Sequence, residues 1–107
     1  MAPEEALIRA GQGRALLVAG QTENALQALK KAHEIDFKNI TLLHDLALAY
    51  AKLGNQGMAS LITAERFGLK GDLKDAQFHA KKAEGLLPQG STSWQRAQDI
   101  VKSNHLK

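Results

Sequence analysis

The chain has 107 residues, 44% hydrophobic and 23% charged, and its 14 Lys and Arg against 11 Asp and Glu leave a net charge of +3. That length suits one domain with a modest core, and the composition excludes disordered, collagen-like and low-complexity classes. The absence of cysteine removes thiolate nucleophiles, Cys-ligated zinc and disulfide scaffolds, while a mild, scattered basic excess with few aromatics gives no nucleic-acid footprint.

Only Pro3 and Pro88 interrupt a sequence rich in Ala, Leu, Lys, Gln and Glu, the residues that lose least side-chain freedom in a helix. Caps and breakers predict helices over 4–19, 23–36, 40–53, 57–70, 73–87 and 92–105. Their connections are Gly20-Gln21-Thr22, Phe37-Lys38-Asn39, Gly54-Asn55-Gln56, Gly71-Asp72 and Pro88-Gln89-Gly90-Ser91, short enough to impose antiparallel neighbours. Ser91 is placed to cap the last helix. The longest apolar run, near Leu46 to Ala51, is too short for a membrane span, and the acidic start Met1-Ala2-Pro3-Glu4-Glu5 is no secretory signal.

The helix-ending glycines are periodic: Gly20 and Gly54 lie 34 apart, Gly54 and Gly71 lie 17 apart. A small residue, a bulky one three later and a glycine four beyond recur as Gly13-Leu16-Gly20, Ala47-Tyr50-Gly54 and Ala64-Phe67-Gly71. Shifting the second helix by 51 lays Ala25, Lys30, Lys31 and Ala32 onto Ala76, Lys81, Lys82 and Ala83. A small residue admits a partner helix closely, the bulky one fills the space beside it, and glycine adopts the left-handed C-cap without a Cβ clash. Ala25, Ala32, Ala76 and Ala83 form the matching narrow face, and such hairpins must stack to bury their apolar sides.

On these residues the chain resembles a tetratricopeptide repeat array, which implies an all-α, right-handed superhelical stack of about three antiparallel helix pairs in one domain spanning 1–107. Repeat one is expected over about 6–39, repeat two over about 40–72, and a degenerate third repeat with a capping helix over about 73–107. Arg9 and Phe37 depart from the family's Trp and Pro. The third signature, continuing through Ala76, Ala83 and Pro88, is displaced by half a repeat. The run from Leu53-Gly54-Asn55-Gln56 to Leu86-Leu87-Pro88-Gln89-Gly90-Ser91 and Trp94-Gln95-Arg96-Ala97-Gln98-Asp99-Ile100 also resembles the C-terminal repeat region of bacterial envelope HExxH zinc metalloproteases of the outer-membrane assembly type. That resemblance implies an accessory domain whose catalytic half lies outside this segment, in the periplasm or cell envelope. A free-standing adaptor, which could be cytoplasmic, is the alternative.

No catalytic, metal or cofactor site is predicted within the chain. His33-Glu34-Ile35-Asp36-Phe37 lacks the second His of a zinc-protease motif, so His33 is expected as an exposed imidazole at a helix C-terminus. His44, His79 and His105 are singly placed, and His44 and Asp45, being adjacent on a helix, are not expected to face one site. Ser60, Ser91, Ser93 and Ser103 lack a nucleophile elbow, and Gly11-Gln12-Gly13 follows no strand. Lys30-Lys31 and Lys81-Lys82 are expected on solvated faces, and Trp94 as a terminal cap with Ile100 and Val101.

What remains is the concave groove of the stack. Its predicted lining is Leu7, Ala10, Arg14 and Val18 from the first helix, Thr41, His44, Leu48 and Lys52 from the third, and Phe78, His79 and Lys82 from the fifth. The family's clamp for C-terminal carboxylates uses Lys and Asn where Ala10, Arg14 and His44 stand here, so chaperone tails are not the expected ligand. A protein or peptide partner held by apolar contacts and a few charge-assisted hydrogen bonds suits this surface. The protein is expected to be a monomer that binds no nucleic acid and does not insert into a membrane.

Overall fold

The computed structural model describes residues 3–103. Among them are six helices: α1 (Pro3–Val18), α2 (Thr22–Ile35), α3 (Ile40–Lys52), α4 (Gln56–Leu69), α5 (Leu73–Leu86) and α6 (Thr92–Ser103). No strand occurs among the described residues. Each helix starts within one residue of its predicted position and the first five end one residue early. The sixth is described to Ser103, so the predicted end at 105, and His105 with it, lies outside the described residues.

The recurring bulky-residue-to-glycine spacing has a hydrogen-bond explanation. Gly20, Gly54 and Gly71 all adopt φ near +82°. After each, the next N–H (Gln21, Asn55, Asp72) donates back to the carbonyl of Leu16, Tyr50 or Phe67 at 2.9 Å, while the glycine N–H donates to Leu17, Ala51 or Gly68. This is the paired closure that satisfies the last carbonyls of a helix. The bulky residue and the glycine are therefore two ends of one cap. At the N-termini, Asn39, Asn55 and Ser91 accept from the N–H groups of Leu42, Met58 and Trp94 at 3.0–3.1 Å, Ser91 as predicted.

The closest helix pairs are α1 with α2 and α4 with α5. In the first half α3 packs on α2 and touches α1; in the second, α6 packs on α5 and touches α4. The last three helices thus repeat the arrangement of the first three, and α3 against α4 joins the halves. The half-repeat displacement of the third signature is the sequence trace of this regrouping.

Small residues make these contacts possible. A Cβ on Gly13 would stand 2.6 Å from the Leu29 Cγ, and Ala25, Ala32, Ala76, Ala80 and Ala83 are buried. The main core gathers Leu17, Leu29, Leu42, Leu43, Leu46, Tyr50 and Ile62. A second cluster joins Leu61, Ala83, Leu87 and Ala97, covered by the half-buried Trp94 and Ile100. Leu29, Leu42, Leu43, Leu46, Leu61 and Ile62 are almost wholly enclosed, each stabilising the fold by about 1.5–3 kcal/mol.

Candidate functional site

The predicted groove residues divide into three groups. On α1, Leu7 and Val18 project into solvent at 72% and 84% exposure, and Ala10 packs against the core. Arg14 is engaged: its Nε donates to Asp45 Oδ2 at 3.1 Å and its Nη2 to Oδ1 at 3.5 Å. Asp45 is nearly buried, and its Oδ1 lies 3.6 Å from His44 Nδ1. Asp45 accepts from Arg14, while His44 stays exposed and borders the depression without it, so the two adjacent residues do not line one site.

Four of the predicted residues do converge. His44 and Leu48 of α3 and His79 and Lys82 of α5 border an open depression of about 310 Å³ floored by Ala59, Ser60 and Thr63 of α4. The Thr63 hydroxyl donates to the Ala59 carbonyl at 2.8 Å. Thr41 and Lys52 on α3 and Phe78 on α5 are exposed outside this lining.

His79 packs against two aromatic rings. It stacks on Phe67 with centroids 5.4 Å apart and planes within 5°, and meets the exposed Phe78 edge-on at 5.2 Å. Lys70 and Arg66 lie over the Phe67 ring at 5.4 and 5.7 Å, and Lys82 over Phe78 at 5.8 Å. Burial pushes the His79 pKa below its ordinary value, Lys82 adds to the depression, and Asp75 opposes it.

A larger concavity is on other helices. A cleft of about 600 Å³ runs between the C-terminal end of α2, with Phe37 beyond it, and α4 and α6. Ala64, Gly68, Leu69 and Ile100 supply its apolar walls, Phe37 and Leu69 stand at 59% and 41% exposure, and His33, Glu65, Arg96 and Asp99 complete it. Across it Arg96 Nε donates to Glu65 Oε2 at 3.0 Å and Nη2 to Oε1 at 2.8 Å. His33 is corrected from an exposed imidazole to a half-buried one. Burial lowers its pKa first, Glu65 and Glu34 raise it, and Arg96 lowers it further.

Sequence reasoning did not identify Asp45, Glu65, Arg96 or Asp99 as site residues. The signal was present, because the shift of 51 that relates α2 to α5 also carries Arg14 to Glu65 and Asp45 to Arg96. It carries Val18 and Leu48 of the predicted groove to Leu69 and Asp99 of the cleft. Among the described residues no three His, Asp or Glu side chains group as a metal site, and no helix is long and apolar enough to cross a membrane.

A family model described as TPR repeat matches residues 13–54. Among solved structures, the chain is similar to the first TPR of Spaghetti (RPAP3) bound to HSP90 peptide SRMEEVD. The TM-score is 0.51 at 16% identity, over 98% of this chain and 97% of that one. No curated protein matches significantly. Residues 13–54 thus match TPR repeat sequence, and the described chain has a TPR-like helical-repeat fold.

Proposed function

We propose that the protein is a non-catalytic interaction module that binds a polypeptide in the depression between α3, α4 and α5. The observation that carries this reading is the convergence of His44, Leu48, His79 and Lys82 around one open, carboxylate-free wall. Leu48 offers apolar contact, Lys82 and the two imidazoles offer donors, and the Phe67–His79 stack holds one of those donors in place. The TPR fold supports the reading, since the similar solved chain has a peptide bound.

The test is an array of decapeptides tiling an outer-membrane porin, with scrambled peptides beside them. Lys82→Glu is expected to weaken selected peptides at least tenfold, about 1.4 kcal/mol. Unchanged binding would reject the depression as the site.

The finer reading makes this module the accessory domain of an envelope zinc metalloprotease, where it presents substrate or an assembly partner to a catalytic domain elsewhere. Its support is the likeness of the Leu53–Ile100 stretch to that group. An immunoblot of fractionated source cells tests it. An envelope band much larger than 11.6 kDa is expected, whereas a cytosolic band at that mass would leave a free-standing adaptor.

A further inference from the structure

We infer that the outward face of α5 is a docking surface for an anionic lipid bilayer, which the protein touches from one side. One stripe of α5 at helical spacing is exposed: Lys74, Asp75, Phe78, Lys81, Lys82 and Gly85. The same six register positions of α2, 51 residues earlier, are exposed too and carry Glu23, Asn24, Gln27, Lys30, Lys31 and Glu34. The α2 stripe is balanced, two lysines to two carboxylates, with the Gln27 amide at its middle, which is the composition of an ordinary solvated face. On α5 the same positions hold three lysines to one carboxylate around an aromatic ring, and glycine stands where α2 has Glu34. Phe78 is 60% exposed, and Leu86 lies open at the end of the same helix.

The surrounding charges leave that excess standing. Asp72, just before α5, is offset by Lys70 at the end of α4, whose ammonium lies over the Phe67 ring. Glu84 is half-buried and accepts from Gln98 of α6 at 2.9 Å, and Glu65 is paired with Arg96. Lys82 lies over the Phe78 ring at 5.8 Å, so cation and ring present themselves together. An exposed apolar side chain among lysines is how a helix rests on a bilayer: the ring enters the headgroup boundary while the long stems carry ammonium groups to the phosphates. A single-stranded nucleic acid fits less well. It needs several free rings along a groove, whereas this stripe is a ridge with Phe78 as its one aromatic ring, and Phe67 is half-buried against His79.

The test is co-sedimentation with vesicles of phosphatidylcholine, alone or in equal mixture with phosphatidylglycerol, at physiological salt, where charges beyond about 8 Å are screened. Binding to the anionic vesicles is expected to be at least tenfold tighter than to the neutral ones. Lys74→Glu with Lys81→Glu should weaken it at least tenfold. Lys30→Glu with Lys31→Glu, the same charge change on the matching stripe of α2, should weaken it less. Phe78→Gln, which installs the residue of α2, should weaken it at least threefold. Equal binding to both vesicles, an equal loss in the two lysine pairs, undiminished binding by Phe78→Gln, or capture of an oligothymidylate without capture of the vesicles would each overturn the inference. None of the substituted residues lines the α3–α5 depression, and Lys82, which does, is left unchanged, so failure here leaves the proposed polypeptide site standing.

Discussion

Glu65 on α4 accepts from both Nε and Nη2 of Arg96 on α6, 31 residues downstream. At the corresponding positions of the first half, Arg14 on α1 and Asp45 on α3 form the same bridge at the same separation with the charges exchanged. The two bridges pin the third helix of each half to the first. Their side chains are partly solvated, so each contributes at the scale of a good exposed pair, up to about 1 kcal/mol.

Exchanging the order in the second half tests that role. Glu65→Arg or Arg96→Glu alone sets like charges together and is expected to cost about 1 kcal/mol or more, while the double variant recovers most of the loss. Urea denaturation measures all four proteins. Simple addition of the two single losses would mean that the pair does not hold α6.

Two glycines inside helices should respond in opposite directions to alanine. At Gly13 the new Cβ meets the enclosed Leu29 at 2.6 Å, an overpacking of about 1–3 kcal/mol against a propensity gain of about 1. At Gly68 the Cβ meets nothing and only the gain remains. Thermal melting is expected to fall for Gly13→Ala and rise for Gly68→Ala, and a rise in both would mean that α1 and α2 can part without cost.

Ser91→Ala and Asn39→Ala each remove a side-chain acceptor from a helix start and should cost about 1 kcal/mol. Gln21 precedes α2 but makes no such bond, so Gln21→Ala should change stability by less than about 0.5 kcal/mol. A loss at Gln21 equal to that at Ser91 would contradict this division.

Acid should destabilise the fold through two histidines. His33 faces Glu65, Arg96 and Glu34, and His79 faces Lys82 and Asp75; for both, burial holds the pKa below 6.5. The unfolded chain then takes protons more readily, so stability falls as pH drops below about 6.5 and levels off below the folded-state pKa. Replacing both with Gln should shrink the difference in melting temperature between pH 7.5 and 5.5. An unchanged difference would assign the acid effect to other groups.

Local chemistry made the helices legible and long-range placement hid the site. Gly20, Gly54 and Gly71 report their own backbone conformation, and Ser91 caps a helix three residues away, so each could be read in place. The groove residues required knowing which helices adjoin. Arg14 reads as a free cation until Asp45 comes to meet it, and Phe37, a departure from the repeat pattern, becomes intelligible only as the edge of a cleft whose walls lie on α4 and α6. The 51-residue shift held this information in the opposed charges of Arg14 and Glu65 and of Asp45 and Arg96.

The reversed order of charges also bears on how the chain finds its fold. Two halves with matching caps and matching alanine faces offer each other's third helix a plausible wrong seat. Were α6 to take the seat of α3 beside α1, Arg96 would confront Arg14; were α3 to take the seat of α6 beside α4, Asp45 would confront Glu65. The order of charges therefore disfavours exchange of the third helix between the halves, within one chain or between two.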